Sequence, residues 1–67
     1  MHITLNGISV ELLSESLTDC LMEQNIDITK KGVAIAINNT VIPRAIWIDQ
    51  ILNDGDSVEV VRPFQGG

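Results

Sequence analysis

The chain has 67 residues, enough for one domain with a thin core, because a domain of this size buries only about 60% of the surface its unfolded chain exposes. Hydrophobic residues make up 45% of it, mostly Ile, Val and Leu with Trp47 and Phe64 as the aromatics, which excludes a disordered chain and predicts an aliphatic core. A net charge of -5 repels phosphate backbones and argues against nucleic-acid binding, while a single cysteine excludes an internal disulfide or an iron–sulfur cluster.

Residues 1–5 alternate Met1, Ile3 and Leu5 against His2 and Thr4, a half-buried strand. Asn6-Gly7 follows, a strong hairpin signal, because a type I′ turn needs positive φ at both central residues. Residues 8–12 alternate again, with Ile8, Val10 and Leu12 expected to point inward. Ser16 is placed to cap a helix, with Asp19 in its first turn. From Leu17 the period changes, and Leu17, Cys20, Leu21 and Gln24 fall on or near one face, with Met22 at its edge and Leu13 expected to staple the entrance. Asn25 reads as the left-handed stop and Ile26 as the residue that packs back on the last turn.

Residues 27–32 are a polar connection containing Lys30-Lys31. Residues 33–37 are apolar on both faces, the mark of a central strand, with small Ala34 and Ala36 on one side leaving room for close packing. Asn38-Asn39 turns the chain into a short edge strand, residues 40–42, ended by Pro43. In residues 44–52, Ala45, Trp47, Ile48, Ile51 and Leu52 suggest a helical turn or irregular segment closing one end of the core. Asn53-Asp54-Gly55-Asp56 is a turn, and residues 57–61 form the last strand, with Val58 and Val60 on one face. A hairpin followed by a crossover helix is expected to set the third long strand parallel to the first, and the last strand to lie beside the first. The expected fold is α+β, a ubiquitin-like β-grasp over residues 1–62: a mixed sheet of four to five strands with one main helix across it, and a flexible tail at 63–67.

That tail ends in Gly66-Gly67. One reading is a frayed terminus or a cloning scar. The other makes the terminal carboxylate the working group. A carboxylate is inert to nucleophiles until activated, most simply by adenylation, and to be activated it must enter another protein's active site. Glycine lacks a Cβ, so a narrow channel can close around its backbone.

Val33-Ala34-Ile35-Ala36-Ile37-Asn38-Asn39, then Val41-Ile42-Pro43-Arg44, Trp47, Asn53-Asp54-Gly55-Asp56 and Gly66-Gly67 together resemble the sulfur carriers of thiamine biosynthesis, the ThiS family. The resemblance runs the whole length of the chain, and Asn6 fits the family's opening hairpin. It implies that the Gly67 carboxylate is adenylated with ATP by a ubiquitin-activating-like adenylyltransferase. Sulfur from a donor such as a cysteine desulfurase then displaces AMP to leave a thiocarboxylate, which thiazole synthase consumes. Phe64, Gln65 and Gly66 would thread the partner's active site, and Arg62 and Trp47 are candidate partner contacts. The chain itself would be a co-substrate and not an enzyme, with no bound cofactor and no metal.

Cys20, between Leu17 and Leu21, reads as a buried small hydrophobe before it reads as a sulfur relay. His2 alternates to the solvent side and has no ligand set around it. Asp54, Asp56 and Glu59 read equally as an acidic patch or a solvated turn. Three other functions share the features: the small subunit of molybdopterin synthase, a ubiquitin-like modifier joined to lysines through Gly67, and an RNA-facing β-grasp module, which the acidic charge disfavours. The longest uncharged run is too short to cross a bilayer and the amino terminus opens directly on a strand, so a cytoplasmic protein that meets no membrane is expected.

Overall fold

The opening hairpin sets one edge of the molecule. In the computed structural model, which describes residues 1–62, β1 (His2–Leu5) and β2 (Ile8–Glu11) pair antiparallel, His2 opposite Glu11 and Leu5 opposite Ile8. The turn between them has φ of 51° at Asn6 and 82° at Gly7, the left-handed pair a type I′ turn requires. Five strands form one sheet in the order β2-β1-β5-β3-β4, with β3 at Ala34–Ile37, β4 at Thr40–Ile42 and β5 at Ser57–Val61. The strand that ends last therefore lies in the middle, parallel to β1 and antiparallel to β3.

The crossover expectation is corrected here. Since β5 is parallel to β1 and antiparallel to β3, the third strand runs antiparallel to the first. The helix leaves from β2, not from β1, so the crossover returns the chain parallel to β2. The parallel return is therefore to the neighbouring strand.

The helix α1 (Leu17–Glu23) is only seven residues long, too short to persist alone in water. Ser16 caps it, its hydroxyl accepting from the Asp19 amide, and Leu17, Cys20 and Leu21 are buried beneath it. Its end is a complete Schellman motif. Asn25 takes φ 61°, its amide donates to the Met22 carbonyl at 3.0 Å, and the Ile26 amide donates to the Leu21 carbonyl at 2.9 Å. Ile26 is thereby folded back into the core.

The core gathers Ile3 and Leu5 of β1, Ile35 and Ile37 of β3, Val58 and Val60 of β5, the helix residues, and Leu12, Ile26, Val33, Trp47 and Leu52. Five residues expected to pack inward are corrected. Ile8 shares a face with its cross-strand partner Leu5, but it sits on the edge strand β2 and is exposed. Leu13 is 96% exposed and staples nothing, while Leu12 before it is buried and donates its amide to the Met1 carbonyl. Of residues 44–52, a 3₁₀ turn over Arg44–Asp49 delivers Trp47 inward and Leu52 follows, but Ala45, Ile48 and Ile51 face solvent. A 3₁₀ turn repeats every three residues, so one short turn aims one side chain at the core and leaves its neighbours outside.

Candidate functional site: the strand that leads to the tail

The chain leaves the sheet from its central strand. Val58 and Val60 of β5 point into the core, and the strand is bonded to β1 on one side and β3 on the other. The β1 ladder, however, reaches β5 only at Thr4–Ser57 and Leu5–Val58. Beyond that, Asn6 takes over. Its backbone amide donates to the Val58 carbonyl at 2.9 Å, and its side chain pairs with Val60 as a peptide group would. Nδ2 donates to the Val60 carbonyl at 3.2 Å and Oδ1 accepts from the Val60 amide at 2.8 Å. One side-chain amide thus prolongs β1 alongside the last residues of β5.

The other end of β5 is held in the same manner. Asn38, at φ 50°, donates its backbone amide to the Ser57 carbonyl at 2.8 Å and accepts from the Ser57 amide on Oδ1 at 2.9 Å. Its Nδ2 donates to the Asp56 carboxylate at 3.0 Å, which also accepts from the Asn53 amide at 2.8 Å. Asp54 accepts from the His2 amide at 2.7 Å. These two acids therefore tie the turn before β5 to its neighbours. Sequence reasoning assigned Asn6 and Asn38 to turn geometry and missed this second task. The available signal was the choice of Asn where Gly would satisfy φ alone.

Arg62 follows β5 and is exposed. Trp47, expected as a partner contact, is only 4% exposed. Its Nε1 donates to the Ile42 carbonyl at 2.7 Å, and the Arg44 guanidinium lies 4.4 Å above its ring. What the surface offers at this position is Arg44. Phe64, Gln65, Gly66 and Gly67 lie outside the described residues, as does the whole of the expected tail.

The sheet face opposite α1 carries a small apolar strip. Ala34 pairs with Val61, and Ala36 pairs with Val41 and Glu59, so these side chains share the open face. Val41 is 71% and Val61 65% exposed. The room that the alanines leave thus opens to the outside beside the root of the tail.

Cys20 is 1% exposed and its Sγ donates to the Ser14 carbonyl at 2.8 Å. Burial, helped by the nearby Glu23 and Asp19 carboxylates, pushes its thiol pKa up, away from the thiolate that sulfur transfer needs. Among the described residues no group of His, Cys, Asp and Glu is arranged to hold a metal ion, and no helix is long and apolar enough to cross a membrane.

A mixed five-stranded sheet in the order 2-1-5-3-4, grasping one helix and releasing the chain from its middle strand, defines a ubiquitin-like β-grasp protein. Comparison with known proteins narrows the class. A sequence profile of the ThiS family matches residues 3–67. The sulfur carrier protein ThiS of Escherichia coli is 31% identical over the full length of both chains, and that of Thermus thermophilus is 37% identical over 97% of this chain and 98% of its own. The crystal structure of the thiamine biosynthesis protein ThiS from Geobacter metallireducens superposes with a TM-score of 0.79 over all of both chains, at 26% identity. The chain belongs to the ThiS family.

Proposed function

We propose that the working group of this chain is the carboxylate of Gly67, and that the β-grasp domain is the handle that carries it between enzymes. The protein is a sulfur carrier in thiamine biosynthesis, consumed and regenerated as a co-substrate, and not itself an enzyme. The observation that supports the assignment is that β5, held at the middle of the sheet with Asn6 bonded to Val60, ends at Val61, only six residues before Gly67.

The chemistry follows from the carboxylate. An adenylyltransferase of the ubiquitin-activating type lets it attack the α-phosphorus of ATP, with pyrophosphate leaving. The acyl-adenylate is a mixed anhydride, and AMP is its good leaving group. Sulfide displaces AMP directly to give the thiocarboxylate. A persulfide, delivered from a cysteine desulfurase, displaces AMP to give an acyl disulfide, which a second thiol opens to the same product. The thiocarboxylate keeps the sulfur reduced, nucleophilic and tethered until thiazole synthase takes it. Residues 64–66 thread the partner's channel, where paired glycines let the walls close on the backbone. ATP is the partner's substrate, and the chain binds no cofactor of its own. The work belongs in the cytoplasm, where ATP and the sulfur donor are supplied.

Incubation with the activating partner, ATP and a sulfur donor, followed by mass spectrometry, tests this. The expected result is a gain equal to exchanging one oxygen for sulfur, localised to Gly67. No gain, or the same gain in a chain lacking Gly67, overturns the proposal.

A further inference from the structure

The chain has four bases against nine acids, and its composition alone points to a basic partner. Topology redistributes those charges. Ala34 at the start of β3 lies opposite Val61 at the end of β5, so the loop 27–32 that feeds β3 arrives where the tail departs. That loop carries Lys30 and Lys31, both exposed. β4 returns antiparallel to β3, placing Ile42 opposite Ile35 and bringing Arg44 to the same end. Arg62 follows Val61 directly. All four bases of the chain thus collect at the sheet end from which the tail departs.

Arg44 also binds the loop into this arrangement. Its Nη1 donates to the Ile28 carbonyl at 2.7 Å and its Nη2 to the Lys30 carbonyl at 2.9 Å. These partners are neutral, so the bonds fix the guanidinium and its loop without cancelling its charge. Among the described residues the one ion pair is His2–Glu11 at 3.9 Å, at the opposite end of the sheet, where Asp54 and Asp56 also lie. Against the bases stand Asp27, whose carboxyl the Thr29 hydroxyl and amide hold below the usual range and which senses Lys30, and Glu59, two residues back along β5. The molecule is therefore acidic in sum, yet carries its bases together at the tail end.

We propose that Lys30, Lys31, Arg44 and Arg62 form a cationic collar around the root of the tail, which docks on an acidic protein surface rimming the active site that receives Gly67. The inference deepens the carrier reading and rests on it. The collar aligns the chain as it approaches, so the tail meets the channel mouth first. Charge at an interface rim acts chiefly on the rate of encounter and its salt dependence. It acts little on a chemical step that takes place several residues farther along.

The double variant Lys30→Glu, Lys31→Glu tests the collar, since neither side chain is bonded within the described fold. Pyrophosphate release by the activating partner, with sulfide present to displace AMP and allow turnover, is measured with the full chain at low and high salt, and a circular dichroism spectrum confirms the fold. At low salt the variant should raise KM for the carrier about tenfold with kcat unchanged. The gap should close toward 1 M salt, where the screening length falls to about 3 Å. Glu11→Lys, at the far end of the sheet, should leave KM within about twofold. An unchanged KM in the double variant overturns the collar. So does a fall in KM for Glu11→Lys as large as the rise in the double variant, because net charge and not placement would then be sensed. A shift in KM for ATP instead would assign these bases to nucleotide phosphates and overturn the protein surface. The two ideas fail separately: wild-type chain that the partner never adenylates when ATP is supplied sinks the carrier reading, whereas calorimetric binding without ATP that ignores salt and the lysines sinks the collar.

Discussion

Asn6 does two things that are separable by substitution. Its backbone occupies φ 51°, and its side-chain amide makes two hydrogen bonds to Val60. Asn6→Gly keeps the first and removes the second, and should cost about 1–3 kcal/mol, two net hydrogen bonds. Asn6→Ala loses the same bonds and, unlike Gly, keeps a Cβ at positive φ without the local side-chain bonding that lets Asn tolerate it, so it should cost about 1 kcal/mol more than Gly. Urea denaturation should rank wild type above Gly above Ala, and a neutral Gly variant would show that the amide contributes nothing. Cys20 is testable at the same scale. Burial raises its pKa in the fold, so the unfolded chain is the state that releases the proton more readily. The stability this difference provides is complete below the unfolded thiol pKa of about 8.5 and is lost as pH climbs past it through the higher folded value. Denaturation of wild type and Cys20→Ala across that interval should show wild type losing ground as pH rises. The Ala variant should still acquire sulfur at Gly67, the outcome expected when a buried thiol with a raised pKa takes no part in the transfer.

The 3₁₀ turn over Arg44–Asp49 is the element whose purpose was hardest to see in advance. It inserts the chain's single tryptophan into the core, satisfies its indole on the Ile42 carbonyl, and lays Arg44 across the ring. Trp47 fluorescence should therefore be blue-shifted in the folded protein and move red on unfolding. Trp47→Phe should cost about 1–3 kcal/mol, combining a lost hydrogen bond with unfilled volume. The helix, by contrast, was readable at both ends. Ser16, the spacing of Leu17, Cys20 and Leu21, and Asn25-Ile26 announce a cap, a buried face and a Schellman stop, and each is local chemistry. The staple at Leu13 failed because the choice between Leu12 and Leu13 depends on how β2 leaves the sheet, which no local pattern encodes.

At the scale of the molecule the sheet has two faces with opposite tolerances. Leu21→Ala, beneath the helix, should cost about 2–5 kcal/mol, a large share of a small domain's stability. Val41→Thr and Val61→Thr lie on the open face and should each change stability by less than about 0.5 kcal/mol. A loss as large as that of Leu21→Ala at either valine would mean that the open face is covered in the free protein.

Hairpins, helix limits and the strand at residues 33–37 were legible in the chain, because each is set by interactions among residues a few positions apart, but the middle of the sheet went to β5 and not to that strand. The Gly66-Gly67 ending can be read without a fold, and the carboxylate chemistry proposed for it is argued from the chain alone. The pairing of strands was legible only in part: β5 beside β1 was expected, but β3 runs opposite to the direction inferred. Asn6 and Asn38 revealed their second role, and the four bases their common location, only once residues 14 to 54 positions apart had been brought side by side. Long-range pairing sets neighbours that sequence distance conceals. Here it changed an acidic composition into a molecule with its cations grouped at the root of the tail.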